Sequence, residues 1–180
     1  MEYRPKITDI YLDQVLTRTY RNEYGEREQV PYEARVHRPV KTLDVGLRFV
    51  NHFADGIVYQ ILIYMIMAIP GMESQPFIPL FIFLSMPIYY IIGEHKFQRT
   101  IGKLLTKSIV INEYGEALDL RQAVLRTIIR FVPFNAFSFL GSSQRGWHDT
   151  WSKTYVVSES EYEELQLLLS DPSNFEPQEV

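Results

Sequence analysis

Two apolar runs joined by one short polar turn constrain this chain more than any other feature. The first, Val45 to Ile69, would reach about 37 Å as a helix, more than the roughly 30 Å of a bilayer core. The second, FIPLFIFLSMPIYYIIG at 77–93, carries no charge and is just long enough to span. PGMESQP, at 70–76, is all that connects them, so they are predicted to form an antiparallel helical hairpin. Pro79 falls in a first turn, where its missing N–H costs little, whereas Pro87 should kink the helix. In a chain of 180 residues too little else remains to cover two such helices in water. The mean hydropathy of -0.12 hides this pattern because the apolar residues are bunched.

Charge orients the hairpin. The connecting turn has no Lys or Arg, while the outer flanks hold Arg38, Lys41, Lys96, Arg99, Lys103 and Lys107. The positive-inside rule then predicts a multi-pass cell-membrane protein with both termini in the cytoplasm. A net charge of -4 gives no reason to expect nucleic acid as a partner. The absence of Cys excludes disulfides and thiol chemistry.

The flanking segments are more polar. Residues 1–40 read as a polar tail with a short amphipathic helix near Ile7 to Val15, followed by linker. Arg35, His37, Arg38 and Lys41, just before the first apolar run, are either solvated or turned to anionic lipid. Leu104 to Ile111 reads as a strand, 112–116 as a turn, and Asp119 with Gln122 as a helix cap and its capping-box partner. A third segment, 123–141, is predicted to be an interfacial or re-entrant helix interrupted by Pro133 and Asn135. Thr154 to Val157 reads as a strand able to pair with 106–111. Residues 159–180 form an acidic tail with an amphipathic helix around Tyr162 to Leu169, its last residues disordered. The expected fold class is therefore a mainly α membrane protein with a small cytoplasmic β-element, its membrane domain covering 41–158.

Few residues point to chemistry. Thr100-Ile101-Gly102-Lys103 fails as a phosphate loop, because Phe97 stands at the upstream glycine position and Leu104 where Ser or Thr is needed. The four His residues show no paired ligand spacing, so neither a metal nor another cofactor is expected. No catalytic constellation stands out, which argues against an enzyme. Trp147 and Trp151 read as membrane-interface anchors. What remains is the charged stripe in the first apolar run: Arg48, Asn51, His52 and Asp55, with 48, 52, 55 and 59 on one face. An ionised Asp facing lipid costs at least about 2.5–3.5 kcal/mol, so Asp55 must face protein or water. Arg48, about 10 Å along the axis, would act on it through Asn51 and His52. Arg126 and Arg130 share a helical face, and Asp149 precedes the second strand with Lys103 and Arg126 as candidate partners.

RFVNHFADGIV, RTIGKLLTKSIVINEYGEALDLRQAVLRTIIR and GWHDTWSKTYVV, in that order, resemble the RDD family over about residues 40 to 158. The resemblance implies that Arg48, Asp55 and Asp149 are the family's Arg, first Asp and last Asp. It also implies transport of an ion or small solute, with cation/proton exchange proposed for some members. In that reading Asp55 is the carrying carboxylate and Arg48 sets its charge state. Two spans cannot enclose a pathway, so the lipid-embedded chain would work as a homo-oligomer or with other membrane proteins. The alternative is a non-transporting scaffold or accessory protein.

Overall fold

The computed structural model describes residues 4–22, 24–132 and 145–175. The N-terminal segment departs from the sequence expectation. The segment expected to be a short helix and linker is a long antiparallel hairpin, β1 (Tyr11–Arg21) paired to β2 (Arg27–His37). Val15, Thr17, Thr19 and Tyr20, with Val30 and Tyr32 opposite, supply the β-branched and aromatic side chains that suit extended backbone. Gly25, at φ 79°, takes the left-handed position in the connecting turn. Ile7 and Ile10, whose spacing suits a helix, are instead fully buried at the foot of the hairpin.

The two apolar runs form α1 (Val45–Met67) and α2 (Ile78–Phe97), both long and apolar enough to cross a membrane. Asp44 caps α1 by accepting from the Gly46 N–H at 2.7 Å. Most of their apolar side chains point outward, among them Phe49 at 69 % exposure and Phe83 at 68 %. Midway along, the Tyr59 hydroxyl donates to the Ile82 carbonyl and lies 2.9 Å from the Ser85 hydroxyl. α2 ends at Gln98, which has a left-handed φ of 56°.

A short α3 (Ile101–Leu105) then lies across α1. Gly102 makes this approach possible: a Cβ there would collide with the Asn51 carbonyl oxygen and sit 2.9 Å from the Asp55 carboxyl. β3 (Ser108–Asn112) follows, and a turn in which Asn112 Oδ1 accepts from the N–H groups of Tyr114 and Glu116. α4 (Leu120–Arg130) starts with the expected capping box of Asp119 and Gln122. Its eleven described residues extend about 16 Å, well short of a bilayer core. Pro133 and Asn135 lie outside the described residues, as does the expected disordered end, 176–180. α5 (Trp147–Trp151), β4 (Thr154–Ser158), α6 (Glu159–Ser170) and a 3-10 turn complete the order.

β3 and β4 pair antiparallel as expected, with Val110 opposite Val156. Alternation turns Ile109, Ile111, Tyr155 and Val157 to one face, where Ile7, Ile10 and Leu165 cover them. Val110 and Val156 turn to the other, under Leu43 and Leu118. The N-terminal segment and α6 thus pack on the β3–β4 pair and form a cap with it, rather than trailing from it. Arg38 is buried and grips Glu161 at 2.6 and 2.8 Å and Glu164 at 2.9 Å, so it is neither solvated nor turned to lipid.

Candidate functional site

The inward stripe of α1 carries Arg48, Asn51 and Asp55, all buried. His52 stands at its edge and meets the Tyr90 hydroxyl at 3.3 Å. The expected relay from Arg48 to Asp55 is not formed, and the two belong to different networks. The Arg48 guanidinium donates from Nε to the Leu43 carbonyl at 2.9 Å and pairs through Nη1 with Asp149 Oδ2. Asn51 turns to the loop after α3, with Nδ2 donating to Ser108 Oγ at 3.2 Å and Oδ1 accepting from Thr106 Oγ1. Two helical turns separate Arg48 from Asp55, and the cap fills the space each faces, so each finds nearer partners.

Asp55 is held by neutral donors. Oδ1 accepts from the Tyr89 hydroxyl and the Gly102 N–H, both at 2.7 Å, and Oδ2 from the Thr100 hydroxyl at 2.7 Å. The same Tyr89 oxygen accepts from the Ile101 N–H at 2.9 Å. One carboxylate therefore fastens α1 to α2 and to the start of α3.

Asp149 and Glu94 are held by cations. Asp149, on α5, takes Arg48 on one oxygen and Arg126 Nη1 at 2.5 Å on the other. Arg126 reaches from α4 to Glu94 Oε2 through Nε at 2.9 Å and also donates to the Thr154 hydroxyl. Glu94 Oε1, at the end of α2, accepts from Lys103 Nζ at 3.0 Å and Arg130 Nη2 at 2.5 Å. The Arg130 guanidinium also stacks over the Tyr90 ring, 4.4 Å from its centre. The shared face expected of Arg126 and Arg130 is thus real, and both turn inward. The opposite face of α4 exposes Leu125 and Ile128, so the helix is amphipathic with Arg126 and Arg130 inside, while Arg121 in its first turn is exposed. Asp149, expected in a turn with Lys103 and Arg126 as candidates, takes Arg126 but not Lys103.

Burial and charge compete at each group of this cluster. Burial works against ionisation of Asp149, but His148, Arg126 and Arg48 outweigh it and hold the carboxyl well below the ordinary range. Burial pushes Lys103 down, with Arg130 and Arg126 acting the same way and Glu94 opposing. Burial, aided by Arg130 and Arg126 and opposed by Asp149, lowers His148 to about 3, so its imidazole is neutral near pH 7. Arg126 is raised: burial opposes its charge, and Glu94 and Asp149 prevail.

Glu94 is the functional candidate that sequence reasoning misses. The uncharged run ends at Gly93, one residue short of it. The available signal is a lone acid closing a long apolar run while Arg130 has no counter-charge assigned from the sequence. Among the described residues, no group of three or more His, Asp or Glu is placed to hold a metal ion.

Comparison with known proteins finds one family and one curated relative. The model of the RDD family matches residues 43–153, a span that includes Arg48, Asp55, Glu94, Lys103, Arg126 and Asp149. The protein named "Uncharacterized protein YxaI" of Bacillus subtilis (strain 168) is 27 % identical over 143 residues, 62 % of this chain and 93 % of that protein. No solved structure matches.

Proposed function

This chain belongs to the RDD family, and from that premise we propose that it is an integral membrane protein serving as a charge-clamped scaffold. α1 and α2 would cross the bilayer and the polar cap would sit in the cytoplasm. The outward apolar faces of both helices suit lipid, and the Lys/Arg-free turn between them suits the far side. One observation carries the scaffold reading: each oxygen of Asp55, Glu94 and Asp149 already accepts from a donor of this chain. In those three groups no carboxylate oxygen is without a donor of this chain, so a travelling cation would have to displace a donor or share its oxygen. The cluster instead ties five helices, α1 to α5, into one body.

The second reading is proton-coupled transport by an oligomer, and Lys103 is the observation that favours it. It is a buried amine with a lowered pKa, on a carboxylate that two arginines also hold. Release of its proton would relieve a local surplus of positive charge.

Reconstituted vesicles separate the two. The scaffold reading expects no pH-driven cation flux above that of protein-free vesicles. Flux that Asp55→Asn or Lys103→Gln abolishes while the protein stays folded would overturn it in favour of transport. Topology is checked in the same preparation, since the chain has no Cys. Cysteines introduced at Ser74 and Ser158 are expected to label from opposite sides.

A further inference from the structure

The β1–β2 hairpin lies outside the span that the family model matches, and most of it is exposed. Its ladder decides which backbone groups are free. The Asn22 N–H donates to the Glu26 carbonyl and the Arg38 N–H to the Ile10 carbonyl, so even-numbered residues face the partner strand at both ends of the ladder. In the continuous register between them, odd-numbered residues direct N–H and C=O outward. On the β2 edge that row is interrupted at Pro31, which has no N–H. On the β1 edge, Asp13, Val15, Thr17, Thr19 and Arg21 present an uninterrupted row, exposed and, among the described residues, unpaired with any other strand.

We propose that the outer edge of β1 pairs antiparallel with the same edge of a second copy of this chain, about a two-fold axis through Thr17. The choice of a second copy rests on charge and register. An antiparallel strand must place residues of the same face opposite each other, and a two-fold axis through Thr17 sets Asp13 against Arg21 of the second copy, twice. Val15 meets Thr19, and Thr17 meets itself. The Arg21 guanidinium donates to the Gly25 carbonyl at 3.1 Å but lies opposite Arg27 in its own ladder, a like-charge pair that destabilises a hairpin and that a carboxylate of the second copy would offset. Asp13 is available, being 74 % exposed at the side chain with Arg35 no nearer than 4.0 Å. Five outward residues on each strand would exchange about ten backbone hydrogen bonds. The product is a four-stranded sheet whose remaining edges both carry Pro31, whereas a lone two-stranded hairpin is marginal in water. Nothing in this pairing depends on whether a solute crosses the membrane.

The test uses the full chain, in membranes and in detergent. Hydrogen-bonded antiparallel partners lie about 5.5 Å apart at Cα, within disulfide reach. Thr17→Cys should therefore give an oxidised dimer in membranes, while Gln29→Cys, on the β2 edge, should not. Thr17→Pro removes an outward N–H, as Pro31 does opposite, and should yield a monomer with an unchanged melting temperature. Asp13→Arg and Arg21→Asp should each weaken dimerisation at least tenfold, and the two together should restore it. A monomeric parent whose Thr17→Cys variant gives no cross-link overturns the proposal. So does equal cross-linking of the Gln29→Cys variant, or failure of the charge-swapped pair to recover. A dimer that survives Thr17→Pro would mean association through another surface and would also overturn it.

Discussion

Asp55 on α1 and Glu94 on α2 are both buried, and they are held in opposite ways. Asp55 takes two hydroxyls and one backbone N–H, all neutral. Glu94 takes two guanidiniums and an ammonium. Neutral donors satisfy a carboxylate without depending on its charge, and a side-chain amide can replace much of what they contact. Cations do depend on it: removing the carboxylate strands buried charge, which costs far more than the lost hydrogen bonds. The same end of the helical hairpin therefore contains one joint that should tolerate neutralisation and one that should not. Asp149, between Arg48 and Arg126, belongs with Glu94.

The largest expected effect follows directly. Glu94→Gln leaves Lys103, Arg126 and Arg130 around a neutral amide, and should cost at least the roughly 3–5 kcal/mol typical of breaking a buried pair. Asp149→Asn should cost a similar amount. Folded yield from membranes and thermal melts measure both. A Glu94→Gln protein as stable as the parent would erase the contrast with Asp55.

Acid should be next in effect, and it acts through His148. Its folded pKa of about 3 lies below the ordinary 6.5, because burial and the nearby Arg130 and Arg126 oppose the imidazolium. The unfolded chain then binds a proton that the folded one resists, so stability is full above pH 6.5 and falls as pH drops toward 3. At pH 4 the loss is about 3 kcal/mol, at roughly 1.4 kcal/mol per unit. Asp149, whose pKa is also depressed, adds its own loss only below the ordinary carboxylate range, near 3.8. Melting temperatures from pH 7 to 4 should slope in the parent and flatten in His148→Asn. Equal slopes would mean that His148 is protonated in the fold.

Much of this arrangement is legible in the sequence, and the rest is hidden for physical reasons. The helical hairpin, the β3–β4 pair and the capping box are local patterns, written in apolar length, β-branched runs and spacing. That Asp55 faces inward follows from the cost of leaving it in lipid. The i, i+4 spacing of Arg126 and Arg130 gives them a common face. The partner of Arg48, by contrast, lies 101 residues away, and one sequence offers nothing to connect them. The β1–β2 hairpin is hard to read because neither of its faces is well covered, so no clean apolar alternation marks it. Glu94 is hidden by its position, one residue past the end of an uncharged run.

A smaller effect is expected at Asp55. In Asp55→Asn the amide oxygen keeps the place of Oδ1 and can accept from Tyr89 and Gly102. The new amide group meets the Thr100 hydroxyl, which can turn and accept. The expected cost is about 1–2 kcal/mol, within the range for one altered buried hydrogen bond. A loss as large as that of Glu94→Gln would show that the charge of Asp55, and not its shape, holds α3 on α1.

The smallest effect should come from Lys103, and its sign should change with pH. Glu94 carries one negative charge for three cations, and the two arginines stay charged at every accessible pH. Lys103 is therefore the cation in surplus, and Lys103→Gln keeps a donor to Glu94 while removing that surplus. Stability near pH 7 should change by no more than about 1 kcal/mol. The alkaline limb is more telling. The folded pKa of Lys103 is lowered by burial, so above it the unfolded chain holds a proton that the folded one has released. Parent stability should then rise as pH climbs from the lowered value toward the ordinary 10.5, and the variant should lack that rise. Paired melts from neutral pH up to 10.5 read the difference. A variant that loses as much as Glu94→Gln at the lower end of that range would make Lys103 an essential tie of the cluster and remove the observation that favours a proton-coupled cycle.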